Sequence, residues 1–122
     1  MAEREFTVEE ANSLLPALSR SLTQIKEARQ AVLHGGERIR RSARWDGGGS
    51  QGKEYWDALS TLRREVESLS EQGIVLRDAE EGLLDFPARR EGRQVFLCWR
   101  LGEVRVGYWH GPETGFAGRR PL

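Results

Sequence analysis

The residues of this chain best suited to chemistry lie in its last third. His110 and Glu113 stand in a His-x-x-Glu spacing, Asp85 is bracketed by Leu84 and Phe86, Cys98 falls between Leu97 and Trp99, and Arg100 and Arg105 flank a Leu-Gly-Glu turn. A histidine beside a carboxylate can move a proton, and with a third donor it can hold a metal. Paired arginines can hold an anion. An enzyme built from these parts would use His110 as general acid or base, Asp85 or Glu113 as its partner, and Arg100 to stabilise developing negative charge. His110 and Glu113 could hold a metal if Asp85 or a partner chain added a third ligand, which is the metal-binding alternative; one histidine and one glutamate by themselves fall short of a ligand set, so no metal and no cofactor are expected. Cys98, mid-strand between large apolar residues, reads as an inert core thiol.

Two other patterns carry less. Residues 47–53, GGGSQGK, fit the G-x-x-x-x-G-K core of a phosphate-binding loop, but Glu54 stands where a magnesium-binding hydroxyl belongs and no strand precedes the loop. The arginine-rich run 37–45 could touch nucleic acid, yet a solvated helix end explains it as well.

These side chains must be positioned by a helical half and a strand half. Thr7 and Glu10 form a capping-box pair ahead of apolar residues at Ala11, Leu15, Leu18, Leu22, Ile25 and Val32. Pro16 falls inside this seam and is expected to kink or break the helix, and Gly35-Gly36 is its first stop signal. A second seam, Tyr55, Leu59, Leu62, Val66 and Leu69, ends at Gly73. Two seams of matched period predict a long antiparallel helical hairpin over 7–73, with a flexible tip at about 43–52. From residue 74 the period becomes alternating, and strands are expected at 74–78, 83–87, 94–100 and 104–110, a four-stranded antiparallel β-meander. Residues 111–122 read as an irregular tail. The fold class is α+β, one domain over 1–122.

With Gly102 and Glu103 at the centre of the last turn, Trp99 would pair with Val106, Leu97 with Tyr108 and Val95 with His110. Alternation then sends Val75, Leu84, Phe86, Val95, Leu97, Trp99, Val106 and Tyr108 toward the helices, with His110 on the same side. The opposite face collects Asp85, Phe96, Cys98, Arg100, Arg105 and Trp109. Arg100 and Arg105 would stand directly opposed there, and like charges so placed repel unless an anion lies near them. Asp85 would orient the arginines, and Phe96 and Trp109 would supply flat contact area. The expected binding set is therefore Asp85, Phe96, Arg100, Arg105, Trp109 and His110, engaging an anionic small molecule or a second copy of the chain in a homodimer.

Composition narrows the partners. Nineteen basic residues balance nineteen acidic ones, so no net field gathers nucleic acid or an anionic membrane. The single cysteine precludes an internal disulfide, and the opening residues carry no export signal; a cytoplasmic protein is expected.

The opening FTVEEANSLLPAL, the stretch VLRDAEEGLLDFPARREGRQVFLCWRLGEVRVGYWH and the closing GFAGRRPL resemble the bacterial proteins grouped as Domain of Unknown Function 2203. The resemblance implies a small bacterial cytoplasmic protein and the same order of helices then sheet. It brings no activity, substrate or catalytic residues with it. The reading is a non-enzymatic interaction or small-ligand-binding module that uses an arginine and aromatic face of the sheet.

Overall fold

A computed structural model describes residues 4–42 and 49–122. Helix α1 spans Val8–Ser42 and α2 spans Gly49–Glu71. An antiparallel sheet follows, with strands β1 Val75–Asp78, β2 Leu83–Arg90, β3 Arg93–Arg100, β4 Tyr108–His110 and β5 Arg120–Pro121, neighbours in chain order throughout. The α+β order matches the sequence reading, but the sheet has five strands where four were expected, the fifth drawn from the supposed irregular tail.

Helix α1 begins at its capping box. The Thr7 N–H donates to Glu10 Oε1 and the Glu10 N–H donates to Thr7 Oγ1, both at 3.0 Å. The Thr7 backbone donor, with the Thr7 hydroxyl, holds the Glu10 carboxyl below its usual range. The Phe6 N–H donates to the Pro87 carbonyl at 2.7 Å and ties this end to β2. The helix continues through Pro16 and past Gly35-Gly36. Gly35 is a contact rather than a stop: a Cβ there would lie 3.5 Å from Tyr55 of α2. Ser21 meets Glu65, so positions later in α1 face positions earlier in α2. Helix α2 ends in a Schellman turn, with Gly73 at φ 82° and the Ile74 and Gly73 N–H groups donating to the Leu69 and Ser70 carbonyls. Of the expected tip and the arginine-rich run, positions 43–48 lie outside the described residues, while Gly49 to Lys53 of the glycine-rich motif belong to α2.

The core lies between helices and sheet. Ala11, Leu15, Leu18, Leu22, Ile25 and Leu69 meet Leu84, Phe86, Ala88, Val95, Leu97 and Trp99, which alternation places on one face of β2 and β3. Strands β2 and β3 close through Glu91 and Gly92, whose φ values of 52° and 78° make a type I′ turn, so both strands run further than the expected ends at 87 and 94. At the other end Gly82, at φ 73°, fits under Leu101, whose N–H donates to the Gly82 carbonyl at 2.9 Å.

The expected hairpin at 101–104 does not form. The Glu103 N–H closes a β-turn onto the Arg100 carbonyl at 2.9 Å, but the chain then leaves the sheet. Val106 enters the core, where its N–H donates to Asn12 Oδ1 of α1 at 2.7 Å, and the Trp99 indole N–H donates to the Glu103 carbonyl at 3.0 Å. Pairing resumes as Cys98↔Tyr108, Leu97↔Trp109 and Phe96↔His110. This is one residue away from the expected register. Every β4 side chain therefore takes the opposite face, so that Trp109 joins the helix side while Tyr108 and His110 join the outer side. On β1, Leu76 pairs with Leu84 and Val75 with Asp85, so Leu76 rather than the expected Val75 takes the helix side.

Candidate functional site

The register correction separates the expected binding set into three places. On the outer face, β2, β3 and β4 bring Asp85, Cys98 and His110 together, with Phe96 beside them. Asp85 pairs across to Cys98, Cys98 to Tyr108, and His110 follows two positions later. Asp85 and His110 are 1% and 2% exposed, so their polar atoms must be satisfied by protein. Asp85 Oδ2 accepts from Arg77 Nε at 2.6 Å and lies 2.8 Å from His110 Nε2. His110 Nδ1 lies 2.7 Å from the Gly111 carbonyl, which can only accept, so Nδ1 carries a proton and donates it there. Nε2 then faces the Asp85 carboxylate. The imidazole stacks on Phe96 at 5.5 Å, and the Arg77 guanidinium lies 4.9 Å over the same ring.

Cys98 completes this cluster. Its thiol is pushed up to about 12, first by burial and then by the Asp85 carboxylate beside it. It is no nucleophile, and His110 cannot serve as its base because both ring nitrogens are engaged. Donor atoms of Asp85, Cys98 and His110 all lie within 4.8 Å of one another. Glu113 is exposed and makes no hydrogen bond to His110 among the described residues.

Arg100 and Arg105 do not oppose each other. Arg100 pairs with Glu81 at 2.6 Å, and its N–H donates to Glu103 Oε1 at 2.7 Å. Arg105 is exposed on the connection between β3 and β4, on the rim of a cleft of about 580 Å³ with Tyr108 and Leu122. Asp85, expected to orient these arginines, orients Arg77 instead.

The third place surrounds Trp109. Arg90 and Arg93 are directly opposed across the β2–β3 turn, and Trp109 is paired with Arg120 of β5. Alternation places all four on the helix-facing side, at the end of the sheet around a cleft of about 830 Å³ that no residue of α1 or α2 lines. The Arg90 and Arg120 guanidinium groups lie 4.9 and 5.6 Å from the Trp109 ring centre. Among the described residues none of these three arginines has a carboxylate within ion-pair distance. Glu91, Glu113, Gly111 and Gly118 are also among its lining residues. The readable signal was the Ala88-to-Gln94 stretch, where alternation continues across a two-residue turn.

No helix among the described residues is long and apolar enough to cross a membrane. The chain belongs to the family described as an uncharacterized conserved protein, DUF2203, whose model matches residues 4–122. No curated protein and no solved structure matches it.

Proposed function

We propose that this chain is a non-enzymatic binding module that takes a multiply charged small anion, carrying phosphate or carboxylate groups, in the cleft beside Trp109. The observation that carries this reading is the opposed Arg90↔Arg93 pair standing beside the Trp109↔Arg120 pair. Directly opposed like charges destabilise a hairpin, and an oxyanion between them turns that repulsion into charge-assisted hydrogen bonds of about 1.5–3 kcal/mol each. Trp109 holds two of the guanidinium groups over its ring, which limits the entropy lost when they close on a ligand. The helices, read as one antiparallel hairpin, support the sheet from the same side without entering the cleft.

Calorimetric titration of the full chain with pyrophosphate and with citrate at low salt tests this. Saturable binding that weakens at least tenfold in Arg90→Gln/Arg93→Gln, and that falls as salt rises, is the expected result. No saturable binding of either probe, or equal binding by the double variant, would end this reading. Native mass spectrometry reads the alternative occupant, a second copy of the chain: a dimer that the same double variant dissociates would reassign the arginines to a homodimer interface.

A further inference from the structure

We propose that Asp85, Cys98 and His110 form a binding site for one borderline-soft divalent cation, zinc above all. The three offer a carboxylate oxygen, a thiol sulfur and an imidazole nitrogen, a donor set that suits zinc, from three adjacent strands on one face. Zinc holds such atoms at about 2.0–2.3 Å, which sets tetrahedral donors roughly 3.3–3.8 Å apart. The donor atoms already lie within 4.8 Å of one another, and the 2.8 Å contact between Oδ2 and Nε2 needs to open by only about half an ångström to reach that range.

The surroundings are those that a metal-binding histidine and carboxylate require. His110 donates its Nδ1 proton to the Gly111 carbonyl, which fixes the ring and aims Nε2 at the cluster. Arg77 holds the carboxylate from the solvent side with a side chain 46% exposed, so it can swing aside for entry and return as an outer partner. A bound divalent cation would be held by thiolate, carboxylate and imidazole, so the Cys98 thiol gives up its proton as the ion enters.

The experiment uses the full chain stripped with chelator, then given one equivalent of Zn²⁺ either folded or during refolding from urea. The expected result is one ion per chain by native mass spectrometry, with proton release on binding in unbuffered solution at pH 7. Co²⁺ in place of Zn²⁺ should give a near-ultraviolet thiolate-to-metal band. Cys98→Ser should lose that band and bind Zn²⁺ at least 100-fold more weakly while keeping its far-ultraviolet circular dichroism. Failure of the native chain to retain zinc by either route would overturn the proposal, and that arm does not depend on a variant folding. Retention without the thiolate band, or undiminished in Cys98→Ser, would overturn it too. The site lies on the opposite face from the arginine cleft, so either reading can fail alone.

Discussion

Replacing Asp85 with Ala is expected to cost this protein a large part of its stability, and the structure sets the size. The carboxylate is 1% exposed and its contact to His110, itself 2% exposed, is 2.8 Å. Losing a charged hydrogen bond at a buried site costs about 1.5–3 kcal/mol, and leaving His110 Nε2 buried without a partner adds about 1–3 kcal/mol. Arg77, with 46% of its side chain in water, recovers solvation, so its share is under about 1 kcal/mol. The expected loss is about 3–5 kcal/mol, the usual cost of removing one member of a buried pair. With about 2.1 cal/mol/K of unfolding entropy per residue, a loss of about 4 kcal/mol lowers the Tm of this 122-residue chain by roughly 15 °C. Urea unfolding followed by circular dichroism, with chelator present, measures this directly. Arg77→Met is the control and should shift stability by no more than about 1 kcal/mol. Asp85→Ala within 1 kcal/mol of the native chain, or no worse than Arg77→Met, would refute the assignment of the buried contact as the one that matters.

Two further outcomes follow from single residues. Cys98 should resist thiol reagents at pH 8 in the folded chain and react fully once unfolded. Because its folded pKa is raised from 9.0 to about 12, the folded chain keeps the thiol proton where the unfolded chain has lost it, so stability should fall as pH rises from 9 toward 12. Cys98→Ala should lack that part of the decline, measured as the urea midpoint against pH. Gly82→Ala should destabilise by about 1–3 kcal/mol, since φ is 73° and the added Cβ would lie 2.8 Å from the Leu101 Cβ. An equal shift from Gly92→Ala, where φ is 78° but nothing lies within 4 Å, would show that the Leu101 contact adds nothing.

How far the sequence could be read depended on how local each signal was. The Thr7–Glu10 box, the α1 seam and the Gly73 cap are settled within a few residues of themselves, and each was legible. The β4 register was not, because the residue that decides it is 94 positions away: Asn12 accepts the Val106 N–H and draws residues 104–106 off the sheet. A tight turn at Gly102 is real, yet it does not begin a hairpin. That single-residue slip exchanged Trp109 with Tyr108 and moved His110 to the outer face. Arginines do stand opposed in the sheet, but they are Arg90 and Arg93 rather than Arg100 and Arg105, and they meet across a Glu-Gly turn whose glutamate, at φ 52°, is a poor advertisement for a type I′ geometry. Cys98 shows the same dependence in sharper form. Judged alone, a mid-strand cysteine is a core residue, and its neighbours Leu97 and Trp99 support that. Only when His110 crosses to the face that Asp85 already occupies does the thiol have a nitrogen as well as an oxygen beside it. A donor set spread over three strands thus has no signature in spacing, and it becomes visible once the parity of each strand is known.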